Sequence, residues 1–295
     1  MLNSSPRIYI PPESDFIPRF FGQDPTGDLS DARVSQLLET IFGQYRLVKE
    51  WQGSPPSAAA FLAAMPARTP AAFLDTLFGL YAQQHGAVRW GDKTPIYASY
   101  IDLIHRIFPR AQFVHIIRDG RDAALSMLDK WGDELHIDIY FAARNWVRRI
   151  RAAQAAGAQL GPEQFYELYY EDLVREPERE LRRLCNFLGE PYLPVMAQPH
   201  RLGRAQVAPG DFHAPLRDPP APSRIGRWRE EMPGQDLRLF QQVAGSLLHE
   251  LGYECDDPGA QNAREGLRCR ALGFKYEVLQ AGRRVLETLR LLPPI

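Results

Sequence analysis

The chain has 295 residues and a formal charge of −1, which argues against bulk attraction to nucleic acid or to an anionic membrane. Hydrophobic residues make up 45% and aromatic residues 11%, which suits a soluble globular protein with a real core. Cys185, Cys255 and Cys269 form neither a disulfide framework nor a metal spacing, so a reducing, cytoplasmic setting is expected. No stretch has the length and apolarity of a membrane span, and the first residues lack the pattern of a secretory leader.

In chain order, Arg7-Ile8-Tyr9-Ile10 is a short strand-like run stopped by Pro11 and Pro12. Residues 13–21 suit a helical turn limited by Pro18, and residues 22–30 a polar loop. A helix opens at Ser30 or Asp31, with Val34, Leu37, Leu38 and Ile41 on one side. After a linker over 44–56, amphipathic helices are expected over 57–64 and 70–84, the second burying Phe73, Leu77, Leu80 and Tyr81. Val88-Arg89-Trp90 then reads as a strand, Gly91 to Pro95 as a tight turn, and residues 96–107 as a helix with Pro95 in its first turn. The next strand is Phe113 to Ile117, and the crossover between the two suits parallel pairing.

The chain is organised around that strand and the residues directly after it. Phe113, Val114, Ile116 and Ile117 give way at once to Arg118-Asp119-Gly120-Arg121-Asp122 and then to a helical pattern through Leu125, Met127 and Leu128. A strand running directly into a helix start is where ligands bind in an α/β sheet, and helix-start amides with nearby arginines favour an anion. A surface salt-bridge cluster at an ordinary turn is the other reading of the same residues.

Beyond it, residues 131–136 read as a loop and 137–156 as a long helix whose Arg144, Arg148 and Arg151 form a solvated basic face. A strand is expected over 165–170, then a helix from Pro177 in which Cys185 belongs to the apolar stripe. Residues 190–235 are rich in proline, glycine and arginine, and a stretch of that length without regular structure is usually functional. A helix comes next over 233–251, then a polar linker and a terminal helix over 274–292. The division expected is a main domain over 1–255 and a polar linker with a helical extension over 256–295, the extension being a candidate surface for homo-oligomers.

The anion-binding candidates are Lys93, Arg118, Arg121, Ser126, Arg224 and Arg227, which suit a phosphorylated or sulfated ligand better than a neutral sugar. His105 and His115 join no metal set and read as structural, and no metal is expected. The chain has no HExxH, paired CxxC, GxSxG, GxxxxGK[ST] or GxGxxG motif. From the residues alone Glu13 reads as a helix-start acid.

Five stretches, in order, resemble a sulfotransferase that uses 3′-phosphoadenosine 5′-phosphosulfate, nearest the bacterial and tyrosylprotein branch. They are Pro12-Glu13-Ser14, Trp90-Gly91-Asp92-Lys93-Thr94-Pro95, Phe108 to Met127, Tyr170-Glu171-Asp172-Leu173 and Ile225-Gly226-Arg227-Trp228, within residues 5–253. The resemblance implies an α/β fold, a P-loop-like parallel sheet flanked by helices. It implies that Arg118 and Ser126 bind the donor's 3′-phosphate, with Arg224, Ile225 and Gly226 in a loop over it. Tyr170 lies near the nucleotide, and Trp228 is a packing anchor. Lys93 touches the transferring group, and Glu13 takes the acceptor's proton.

Members of that family begin with a strand and a loop close to P-R-S-G-T-T-L-L, which holds the 5′-phosphosulfate. Here the chain opens within the helix after that loop, so the first central strand and loop are expected to be missing, by a late start, a shortened chain or a genuine remnant, the first being favoured. The reaction implied is sulfuryl transfer to a hydroxyl or amine acceptor, with adenosine 3′,5′-bisphosphate as product and without nucleic-acid partners or membrane insertion. The alternatives are a catalytically inactive nucleotide-binding or interaction protein and a P-loop small-molecule kinase.

Overall fold

In the computed structural model of the chain, the described residues are 1–44, 51–135, 137–199, 222–255, 273, 276 and 278. They fall into two compact units. One takes the described residues of Met1–Phe113, Leu160–Tyr166 and Leu181–Pro219, the other those of Val114–Gln159, Glu167–Glu180 and Pro220–Ile295.

The first unit opens on a 3₁₀ turn, Leu2–Ser4, and strand β1, Ile8–Tyr9. Helices α1 (Ile17–Phe21), α2 (Asp31–Gln44), α3 (Ala58–Ala64) and α4 (Pro70–Gln84) come after it. The two last are capped by side chains. Ser57 Oγ accepts from Ala60 N at 3.2 Å, and Thr69 Oγ1 accepts from Ala72 N at 3.2 Å, with Pro70 in the first turn. Helix α4 buries Phe73, Leu74, Leu77, Phe78 and Tyr81 against Phe16, Phe21 and Phe61. Each such side chain removed from water contributes about 1.5–3 kcal/mol, so this aromatic cluster is the main support of the unit.

Strand β2, Arg89–Trp90, lies parallel to β1 in the register Ile8↔Arg89 and Tyr9↔Trp90. The pair is two residues long and is reinforced from outside. Glu190 accepts from Arg7 Nε at 2.8 Å and from Arg89 Nη1 at 3.3 Å, and Arg89 also donates to Leu188 O and Gln112 Oε1, both at 2.6 Å. Burial pushes the Glu190 carboxyl up, but the two arginines outweigh it and hold the carboxyl below its usual range. The helix expected over 96–107 is split into a 3₁₀ turn, Pro95–Ser99, and α5, Ile101–Ile107, because Tyr97 N and Tyr100 N bond three residues back instead of four.

Strand β3, Phe113–Ile117, pairs with β4, Phe165–Tyr169, while β2 pairs with β1. The direct pairing expected between β2 and β3 is therefore not made among the described residues. In the second unit, α6 runs from Gly120 to Leu135, through the loop expected at 131–136. Gly132 inside it costs only about 1 kcal/mol relative to alanine, too little to stop a helix. Helices α7 (Ile139–Leu160), α8 (Tyr170–Arg175), α9 (Pro177–Leu188), α10 (Trp228–Glu231) and α11 (Gly234–Glu250) complete the fold. Tyr170 opens α8 instead of ending the strand expected over 165–170; Glu171 and Asp172 in the first turn favour the helix.

The core of this unit joins Ile117, Leu125, Ala143, Trp146, Phe240 and Leu248. Gly120 sits against it so closely that a Cβ would lie 2.5 Å from Trp146 and 2.8 Å from Phe240. Cys185 is buried in the first unit beside Met196, as its place in the apolar stripe predicts. Of the stretch 190–235, residues 200–221 lie outside the described residues, and so does most of the terminal helix expected at 274–292. Tyr276, from that segment, is buried against Tyr140 and Phe141. Among the described residues, no helix is long and apolar enough to cross a membrane.

Candidate active site

In the second unit, Arg118 leaves the end of β3 and points along α6. Its Nη1 donates to Ser126 Oγ at 3.3 Å and its Nη2 to the Arg224 carbonyl at 2.9 Å. The guanidinium carbon stands 4.8 Å from the Tyr170 ring centre, and Nε is buried without a hydrogen-bond partner. A half-satisfied arginine at a strand end, beside a helix start and a hydroxyl, is chemically suited to an anion.

The loop that supplies Arg224 is fastened to the same helix. Asp122, wholly buried, accepts from Gly226 N at 2.7 Å and from Trp228 N at 2.9 Å. Gly226 has φ +77°, a left-handed conformation that glycine adopts without strain. A cavity of about 520 Å³ lies in this unit, lined among others by Tyr169, Glu171, Arg175, Ile225, Gly226 and Tyr253. Glu171 bridges two of its walls, accepting from Asp119 N at 2.9 Å and from the Tyr253 hydroxyl at 3.0 Å. Burial and the Glu171 charge push the Tyr253 phenol up.

Two of the basic candidates are occupied otherwise. Arg121 is 1% exposed, doubly bonded to Asp119 at 2.8 and 3.0 Å, and stacked 3.6 Å from the Trp228 ring centre. Its side chain is enclosed by these partners, although Nη1 is buried without a hydrogen-bond partner and the residue also lines the cavity. Arg227 pairs with Glu231 and, at 3.2 Å, with Asp129. Trp228 is buried, as a packing anchor should be. His115 is buried with Nδ1 2.9 Å from Glu167 Oε2, in keeping with a structural role.

The first unit holds the other two predicted residues together. Lys93 Nζ and Glu13 Oε1 form a short ion pair, both side chains partly exposed. Their sequence neighbours build a largely buried hydrogen-bonded clip. Ser14 Oγ donates to Asp92 Oδ2, Thr94 Oγ1 donates to Asp92 Oδ1 at 2.8 Å, and Ser14 N donates to Thr94 Oγ1 at 3.0 Å. The Tyr97 hydroxyl lies 2.7 Å from Ser14 Oγ. Burial raises the Asp92 carboxyl to about 6, against the hydrogen bonds from Ser14 and Thr94 and the charge of Lys93. Asp15, at φ +50°, is also raised to about 6, by burial and then by Glu13. The resemblance singled out Glu13 and Lys93, which the fold brings side by side; Asp92, in the tight turn before Pro95, was not singled out.

The family model described as "Sulfotransferase family" matches residues 1–194. The chain belongs to the sulfotransferase family. The span matched in this sulfotransferase-family chain takes in Glu13, Lys93, Arg118, Ser126 and Tyr170. A putative protein-tyrosine sulfotransferase of Caenorhabditis briggsae is 29% identical over 184 residues, 58% of this chain and 63% of that one. The omega-hydroxy-beta-dihydromenaquinone-9 sulfotransferase Stf3 of Mycobacterium bovis is 31% identical over 125 residues, 36% of this chain and 31% of that one. The chain thus spans less than two thirds of these curated relatives. Among solved structures, a sulfotransferase domain from the curacin biosynthetic pathway matches with a TM-score of 0.55 and 17% identity, over 86% of this chain and 92% of that one. That likeness establishes the α/β sulfotransferase fold.

Proposed function

We propose that this chain transfers the sulfuryl group of 3′-phosphoadenosine 5′-phosphosulfate to a hydroxyl or amine acceptor, leaving adenosine 3′,5′-bisphosphate. The observation that carries the reading is the meeting of Arg118 with Ser126 and the Arg224 carbonyl at the end of β3. Arg118 and Ser126 hold the 3′-phosphate under the loop of Arg224, Ile225 and Gly226, and Tyr170 braces the guanidinium from its open face. The buried, unpartnered Nε of Arg118 supports this fit, since it marks a cation whose donors are not all used within the chain.

The donor supplies an activated sulfuryl group on a phosphate leaving group. Glu13 takes the acceptor's proton as general base. Lys93 neutralises negative charge that develops beside it. Their ion pair keeps base and cation side by side until substrates separate them. Relatives named for protein tyrosine and for an omega-hydroxy menaquinone support a hydroxyl-bearing acceptor.

Loss of one charged contact to a buried phosphate costs about 2–4 kcal/mol. Arg118→Ala should therefore weaken adenosine 3′,5′-bisphosphate binding, measured by calorimetry, by about ten-fold or more. Unchanged affinity would remove Arg118 from the site.

A further inference from the structure

An acid in the first turn of a helix ordinarily serves that helix, through its own free amides. Asp122 does not. Both of its oxygens accept backbone N–H groups from residues more than a hundred positions later, Gly226 at 2.7 Å and Trp228 at 2.9 Å. The side chain is completely buried, so no water can replace these donors. Ser126, four residues further along α6, shares its face of the helix and contacts Arg118, whose Nη2 is also 3.9 Å from Asp122 Oδ2.

We propose that Asp122 is a positioning residue that clamps the segment 224–228 onto α6 and so fixes the geometry of the 3′-phosphate site. The proposal rests on the reading of Arg118 and Ser126 given above. A carboxylate this close to a bound phosphate would repel it if its charge faced the ligand. Here each oxygen accepts from an amide and Oδ2 also stands 3.9 Å from the Arg118 guanidinium, so the buried charge is satisfied within the chain. The left-handed turn at Gly226 presents two amides to one carboxylate and leaves the Arg224 carbonyl free to hold Arg118. Without the clamp, Arg118 loses the carbonyl that orients it, and Ile225 and Gly226 no longer have a fixed place in the cavity wall. Asp122 touches neither donor nor acceptor in this scheme; it acts through Arg118 and the loop.

The test uses the whole chain and Asp122→Asn, which keeps the shape and one acceptor, with Asp122→Ala beside it. Amide hydrogen exchange is read at Gly226 and Trp228 without ligand, and calorimetry compares adenosine 3′,5′-bisphosphate with adenosine 5′-monophosphate. In Asp122→Asn, exchange at both amides should rise by about ten-fold or more while that of Phe240 in the core stays unchanged. Bisphosphate affinity should fall about ten-fold, and monophosphate affinity should stay within about two-fold. A merely structural defect would weaken both ligands alike and speed exchange throughout, and that result overturns the proposal. So does unaltered protection of Gly226 and Trp228 in a folded variant. If the unmodified chain itself fails to prefer the bisphosphate, the phosphate-site reading falls, and the exchange data alone then decide whether the clamp exists.

Discussion

Replacing Asp92 by asparagine should flatten the pH dependence of stability on the acid side. The carboxyl is held by Ser14 and Thr94 next to Lys93 and is raised from 3.8 to about 6 by desolvation. A carboxyl raised by folding binds a proton more tightly in the native than in the unfolded chain. Its contribution to stability is therefore present below about pH 4 and is lost as the pH rises to about 6, above which both states are ionised. At about 1.36 kcal/mol for each pH step, the loss is on the order of 3 kcal/mol. Urea unfolding followed by far-ultraviolet circular dichroism, at pH values from 4 to 7, measures it. The fall in unfolding free energy across that range should be about 3 kcal/mol smaller in Asp92→Asn than in the unmodified chain. Asp15 pulls in the same direction but is common to both proteins, so the difference isolates Asp92. Equal falls in the two would mean that Asp92 is hydrated and ionised as usual, and the buried clip would not exist.

Gly120→Ala places a methyl group against Trp146 and Phe240; denaturant unfolding should show a loss of about 2 kcal/mol or more, and an unchanged midpoint would contradict the close approach. Phe78→Ala empties a wholly buried position in the aromatic cluster and should cost about 3–5 kcal/mol by the same measurement, with a loss below about 1 kcal/mol counting against that cluster as the unit's support. In a form of the protein that carries the 5′-phosphosulfate loop, Glu13→Gln should lower turnover with 3′-phosphoadenosine 5′-phosphosulfate by about a hundred-fold while leaving bisphosphate affinity within about two-fold. Near-normal turnover in that variant would remove Glu13 as the base.

The parts of the fold that local chemistry governs could be read directly. The apolar spacing of Phe73, Leu77 and Tyr81 announces α4, and the change of polarity between Ile117 and Asp122 announces the junction that carries Arg118. What escaped depends on distant partners. Nothing near Arg89 says that its strand takes β1 as neighbour, because strands of two residues carry too little pattern to choose a partner. Arg121 resembles Arg118 in the sequence, and only the fold shows that Asp119 and Trp228 enclose it. Asp122 lies in the first turn of α6, and nothing near it announces donors at 226 and 228. Ser126, two turns into α6, could be tied to Arg118 by resemblance but not by spacing. The loop of Arg224, Ile225 and Gly226 was legible as basic and irregular, yet its attachment to α6 is a purely tertiary fact.

The reinforcement of β1 and β2 by Glu190 bears on how the chain reaches its native state. Arg7 waits for a partner 183 positions away, and Arg89 for one 101 positions away. During synthesis β1 leaves the ribosome long before that carboxylate has been made. Contacts of such high sequence separation slow folding, since the loop they close must be ordered before they repay it. The outside reinforcement of β1 and β2 is thus among the last contacts to form, and a nascent chain halted short of residue 190 would hold the pair by its two-residue ladder alone.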